Sequence, residues 1–181
     1  ILAAAPAARA EGFDPHFADR WSPAVLDLFS KIPVQDQGRI KPLSTLAIFD
    51  LVKVNGRMDY RSDAIRPIPA MAWFLDSLFY PDIAAQYKVI LVENPEVMQA
   101  LGLDDTAKRT RFSPVDLSPH AEQLFNLAQQ FSQIDEKERT LYQNQILNLY
   151  DSYDTCLTLM HALDFAQLHE TIPAASPLPR G

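Results

Sequence analysis

The sequence predicts a mainly α domain: proline-punctuated helices, a long C-terminal helical hairpin and at most a small β element. Three observations carry this. Fourteen prolines stand against five glycines, a balance that suits helices interrupted by proline and is poor in the glycine that a many-turned β-sandwich needs. Serine precedes proline at Ser22-Pro23, Ser113-Pro114 and Ser118-Pro119, an N-cap followed by a residue tolerated at the first helical position. Tyr142, Ile146, Leu149, Tyr153, Cys156, Met160 and Leu163 recur at alternating four- and three-residue steps, the seam of one long amphipathic helix.

A hydrophobic content of 48% supplies an ordinary core without disulfide or metal staples. The formal charge of −7 argues against a nucleic-acid partner, because phosphate neutralisation needs a basic surface. The lone Cys156 rules out an internal disulfide, and there is no C-x-x-C or C-x-x-C-H. Residues 1–20 read as a leader and surface segment. Ile1 to Ala10 is small and apolar, and Ala8-Arg9-Ala10 resembles an A-x-A cleavage site, so the stretch reads as the end of an export signal or of a membrane segment. Asp14, His16 and Asp19 sit in polar sequence and read as solvated rather than as a metal site.

Residues 21–170 form the expected single helical domain. Val25, Leu26, Leu28 and Phe29 make a short helix ending near Lys31, and Leu43 to Val54 a second, stopped by Asn55-Gly56. Between them, Ile32 to Pro42 reads as a rigid polar loop bracketed by Pro33 and Pro42, with Gly38 free to take a positive φ. It displays Gln35, Asp36, Gln37, Arg39 and Lys41. Arg57 to Ile68 reads as a charged linker, with Arg57, Arg61 and Arg66 as an alternative anionic-contact patch. The helix after Pro69 is apolar nearly all round and therefore buried.

Lys88 to Glu93 is the best strand, to be paired with Arg39-Ile40 or Met58-Asp59-Tyr60 if it has a partner. Asn94-Pro95 begins a helix that Gly102 ends, Leu103 to Thr110 is a charged loop, and Arg111-Phe112-Ser113-Pro114 starts a turn. Ser118-Pro119 launches the first arm of the helical hairpin. Asp135 and Glu138 resemble a capping box for the second arm, which would run to Gln167, about 48 Å. Residues 171–181 form a proline-rich tether.

Catalytic motifs are missing: there is no G-x-S-x-G, P-loop, H-E-x-x-H or dinucleotide fingerprint. Cys156 on the helical seam reads as a core thiol. His161 and His169 lie two turns apart, about 12 Å, too far to share a metal. No role follows for His16 or His120, and no catalytic or metal-ligating residue is assigned.

One stretch says more. Ile32-Pro33-Val34-Gln35, a short spacer, then Gly38-Arg39-Ile40-Lys41-Pro42-Leu43-Ser44-Thr45-Leu46-Ala47 resembles the extracytoplasmic segment of bacterial cytochrome c biogenesis proteins of the CcsA/CcsBA type, the system II haem lyases. Weaker matches follow in order at Trp73-Phe74-Leu75, Glu93 to Val97, Leu101-Gly102-Leu103 and Arg111-Phe112-Ser113, covering about Ile32 to Leu117. The resemblance implies an exported domain, on the periplasmic or extracytoplasmic face of the bacterial inner membrane, of an assembly that delivers haem and attaches it to apocytochrome c. In that family the chemistry resides in a tryptophan-rich loop and membrane histidines, and neither is matched here, where Trp21 and Trp73 stand apart. What carries over is a non-catalytic scaffold or docking role. It brings no cofactor to this domain, with haem left to the parent assembly. The implied partners are the membrane-embedded haem-handling protein or the rest of the parent chain, with apocytochrome c as a further candidate. The competing expectation is a secreted helical interaction module unrelated to haem, oligomeric through the long seam, since an isolated helix needs a partner for its apolar stripe.

Overall fold

The computed structural model describes residues 20–62, 65–103 and 110–164. Asp14, His16, Asp19, Asp104, Asp105, His169, the leader and the tether lie outside them. Mainly α architecture holds, with the β content confined to small two-stranded antiparallel ladders.

The core is built round α3 (Ala70–Phe79), whose first eight residues are all buried. Such a helix has no solvent face, so other elements must enclose it. The helices α2 (Leu43–Asn55) and α8 (Leu141–His161) pack on it, with α1 (Pro23–Ser30) and the single turn α4 (Pro81–Ala84) at its end. Trp73, Leu75, Leu51, Ile68 and Ile146 are fully buried members of this core. Ala47 on α2 is likewise fully buried, a small residue where helices come close.

Helix ends follow the local chemistry read from the sequence. The Ser22 hydroxyl accepts from the Val25 N–H at the start of α1, and Asn94 accepts from the Glu96 N–H at the start of α5 (Pro95–Leu101). Ser113 and Asp116 form a reciprocal capping box on α6 (Pro114–Leu117). Gly56 and Gly102 close α2 and α5 at φ 69° and 68°, left-handed values that a side chain would resist.

Several expectations need correction. The polar loop Ile32 to Pro42 is a β-hairpin, β1 (Pro33–Asp36) against β2 (Arg39–Pro42). The charged linker Arg57 to Ile68 is also a hairpin, β3 (Asp59–Ser62) against β4 (Ile65–Pro69). Tyr60 faces Ile68 across it and both are buried, so two apolar residues root an otherwise polar stretch in the core. Arg61 is engaged there by Asp59, 2.8 Å away. The expected strand is real but short, β5 (Ile90–Val92), and pairs with β6 (Thr110–Phe112) rather than with either segment proposed for it. Asn55 ties these pieces together: its amide donates to the Asp59 carbonyl at 2.9 Å, and its oxygen accepts from Arg111 Nε at 2.7 Å.

The C-terminal hairpin is present. Its first arm, α7 (Ala121–Ser132), follows a 3₁₀ turn at Ser118–His120. Phe131 meets Tyr142 near the connection and Phe125 meets Tyr150 further along, at 5.7 and 6.0 Å between ring centroids, the order expected of antiparallel arms. The second arm starts later than expected. Asp135 caps only a 3₁₀ turn (Glu136–Glu138), and the capping box that opens α8 is Thr140 with Gln143. The helix spans 21 residues, about 31 Å. Its seam residues Ile146, Leu149, Tyr153, Cys156 and Met160 are buried, with α2, α3 and α7 packed on the helix. The chain therefore covers the stripe itself.

Candidate functional site

The stretch with family-level resemblance folds into one element and the helix it feeds. In β1–β2, Pro33 pairs with Pro42, Val34 with Lys41, Gln35 with Ile40 and Asp36 with Arg39. The two residues left for the turn, Gln37 and Gly38, both have positive φ, 49° and 75°. That is the mark of the type I′ turn, whose twist matches that of the flanking strands. Gln37 is the one non-glycine residue with positive φ among those described. Relieving its left-handed strain is worth about 1–2 kcal/mol, against about 0.5–1 kcal/mol of extra backbone entropy for glycine. Gln37→Gly is therefore expected to raise the unfolding free energy by about 0.5–1 kcal/mol, and Gly38→Val to lower it by about 1–2 kcal/mol, both read by urea denaturation. Open space surrounds a Cβ at Gly38, so conformation alone sets that cost.

The register divides the hairpin into two faces. Val34, Asp36, Arg39 and Lys41 share one, and Pro33, Gln35, Ile40 and Pro42 share the other. On the first, Lys41 donates to Asp36 at 2.7 Å and lies over the Phe49 ring of α2 at 5.5 Å. Asp50, next on α2, has its carboxyl raised above the ordinary range by burial, with Asp36 pushing the same way and Lys53 opposing. The Lys41 ammonium thus offsets the Asp36 carboxylate beneath the hairpin. The second face is exposed throughout, and Ile40 is 80% exposed.

In a two-residue hairpin the 33–42 and 35–40 pairs are the non-hydrogen-bonded ones, whose backbone groups point outward. Both prolines therefore occupy positions where the missing N–H costs the ladder nothing, and they leave each edge poor in donors. Leu43 and Ala47, the next residues of the resemblance, are core. Gly38, Pro33, Pro42, Lys41, Leu43 and Ala47 each have a structural task. Gln35, Arg39 and Ile40 have none: they are exposed, and Arg39 makes no ion pair among the described residues.

The remaining candidates are not brought to this site as a reactive group. Burial pushes the Cys156 thiol up to about 12, with Asp50 adding to it, so it stays protonated at neutral pH. His161 Nδ1 lies 2.9 Å from Asp164 on the surface at the end of α8. His120 ends the 3₁₀ turn before α7. Among the described residues no group of three His, Cys, Asp or Glu side chains is placed to hold a metal, and no helix is long and apolar enough to cross a membrane.

No protein-family model matches this sequence, and no curated protein matches it.

Two features escaped the sequence reading. Ile40 is exposed on the hairpin and Phe49 (56% exposed) beside it on α2; for Ile40 the signal was its place between Arg39 and Lys41 after the Gln37-Gly38 turn, which marks a strand rather than a loop. The second is a buried carboxylate. Asp76 on α3 accepts from Trp21 Nε1 and from the Tyr87 hydroxyl, each at 2.8 Å, and Arg20 lies 3.7 Å over the Tyr80 ring. This pins the segment entering α1 to the end of α3. Nothing in the spacing of residues 21, 76 and 87 announces it.

Proposed function

We propose that this chain is a non-catalytic extracytoplasmic domain of a membrane-bound bacterial cytochrome c biogenesis protein, and that it acts as a scaffold or docking surface through the β1–β2 hairpin. The observation that carries the reading is the sorting of the resembling residues. Most of them build a rigid hairpin and its junction with α2, and what remains is exposed on it, Arg39 at the edge of the face shared with Lys41 and Gln35 and Ile40 on the opposite face. A twisted, donor-poor hairpin presents side chains at little entropic cost, which is what recognition by a displayed element requires. The partner in this reading is the membrane-embedded haem-handling protein or the rest of the parent chain, with apocytochrome c next in line. Haem chemistry belongs to that partner, on the periplasmic side of the inner membrane.

The structure also sharpens the test. Lys41 supports the hairpin, so removing it confounds docking with folding, whereas Arg39 is free of structural work. Arg39→Ala is expected to leave the thermal unfolding of the domain unchanged. Arginine is enriched among the hot-spot residues whose truncation costs more than about 1 kcal/mol; with Arg39 as such an anchor, docking should weaken at least about fivefold and holocytochrome c, measured by haem absorbance, should fall in cells carrying the variant parent protein. Wild-type maturation by a normally folded Arg39→Ala protein would remove the docking role.

A further inference from the structure

We propose that the groove between α7 and α8 binds a small carboxylic acid whose apolar body ends in an aromatic ring. The groove shares no lining residue with the β1–β2 hairpin and holds about 480 Å³, within the roughly 300–1,000 Å³ of compact ligand sites. Its origin lies in the residues. On α7, Phe125, Ala128 and Ser132 recur at three- and four-residue steps and so share one side of the helix. Leu147 and Tyr150 do the same on α8, and all five line the groove. Ala128 is the small member, 4% exposed. A methyl group there, between Phe125 and Ser132, leaves a hollow where a larger side chain would build a ridge.

The two ends of the groove differ in chemistry. At one, Phe125 packs on Tyr150 with ring centroids 6.0 Å apart and planes tilted by 57°, yet Phe125 stays 48% exposed. Such a pair offers ring faces and edges to a third ring in the same tilted geometry. At the other end, Arg139 closes over the last turn of α7. Its Nε donates to the Ile134 carbonyl at 2.9 Å and its Nη2 to the Ser132 carbonyl at 3.3 Å. These bonds occupy the Nε–Nη2 edge of the guanidinium and fix its position. The Nη1–Nη2 edge keeps two parallel N–H donors, and Arg139 makes no other hydrogen bond or ion pair among the described residues. That fork matches the two oxygens of a carboxylate.

Charge and length narrow the ligand further. The other charged side chain lining the groove is Asp151, and Lys53 matches it at 2.9 Å. The net charge of −7 repels anions in general, so selection of a carboxylate rests on the Arg139 fork rather than on the overall field. Phe131 meets Tyr142 beside the connection that carries Arg139, and Phe125 meets Tyr150 at the far end. Tyr142 and Tyr150 are eight residues apart on α8, about 12 Å. A carboxylate, a chain of five methylenes and a phenyl ring have about that reach.

The test is an NMR titration of the 181-residue chain with 6-phenylhexanoate, its uncharged amide 6-phenylhexanamide, and hexanoate. The phenyl acid should shift the Arg139 Nε–H and the side-chain amides of Gln129 and Asn148, which line the groove. It should bind at least about tenfold more tightly than its amide, the equivalent of a hydrogen bond to a charged group, and more tightly than hexanoate, which lacks the ring. Arg139→Gln keeps a donor for the α7 carbonyls but loses the fork, so it should abolish the preference for acid over amide. Phe125→Ala removes a ring that is already half in solvent. It should weaken acid and amide alike by about two- to tenfold and leave the preference intact. Arg39→Ala, on the β1–β2 hairpin, should bind as wild type, which separates this site from docking by the hairpin. Equal binding of acid and amide, shifts confined to other residues, an undiminished preference in Arg139→Gln, full affinity in Phe125→Ala, or loss of binding in Arg39→Ala would each overturn the proposal.

Discussion

Trp73→Ala is expected to lower the unfolding free energy by about 3–5 kcal/mol, the range for truncating a buried aromatic side chain. Trp73 is 1% exposed at the middle of α3, where α2 and α8 also pack. The indole is buried on a helix against which both α2 and α8 pack, so its loss leaves a void that fixed elements surround. Domains of this size are stable by about 5–15 kcal/mol, so the variant should sit near the limit of folding. Urea denaturation with a shared slope would show it as a fall in midpoint. A loss below about 1 kcal/mol would mean that α3 is not the element the core is built round.

The second large effect concerns Asp76 and carries a sign. Its side chain is 1% exposed. Burial raises its carboxyl above the ordinary 3.8, and the hydrogen bonds from Trp21 and Tyr87, then the Arg20 charge, only partly offset that. The hydroxyl of Tyr87 is itself pushed up by burial and by the neighbouring carboxylate. A group whose native pKa is raised holds its proton more tightly when folded. The stability it contributes is thus full below the ordinary value and is lost as pH climbs through the native one. Asp76→Asn removes the titration while keeping an acceptor. Unfolding free energies of wild type and Asp76→Asn, measured from acid to neutral pH, should therefore diverge, with the wild type losing ground as pH rises. A wild type that gains ground instead would show that the three favourable partners outweigh burial. Asp76→Ala leaves the Trp21 and Tyr87 donors unpaired, at about 1–3 kcal/mol each, and frees the segment that enters α1.

How far residues alone lead is seen by comparing two hairpins. The α7–α8 hairpin was legible because its seam repeats over many turns, but its bounds were misplaced: α7 opens after a 3₁₀ turn, and α8 runs from Leu141 to His161 rather than from Asp135 to Gln167. The rival boxes Asp135/Glu138 and Thr140/Gln143 both have the right chemistry, and the chain uses the second, next to the contact of Phe131 with Tyr142. The β3–β4 hairpin was not legible. Tyr60 and Ile68, the buried apolar pair among its described side chains, are spread among arginines and prolines, and so short a strand pair has no period to detect. The same holds for β6, three residues placed just before a serine-proline helix start.

For the candidate site, the residues were found but their division of labour was not. Gln35, Asp36, Gln37, Arg39 and Lys41 read alike in sequence, as displayed polar groups. The pairing register puts Asp36 and Lys41 together over α2 and leaves Gln35 on the opposite face beside Ile40, a residue that local polarity did not single out.

By itself the sequence determined the helical class, most helix ends, the left-handed glycines and the buried character of α3 and of the long seam. Those properties are local, set by caps, φ preferences and periodicity within a few turns. Tertiary structure alone decided which short segments pair as strands, that Asp76 receives Trp21 and Tyr87, and which face of the β1–β2 hairpin remains outward. Each of those depends on groups far apart in the chain meeting in space, and one-residue pairing shifts that look equivalent locally send a side chain to the opposite face.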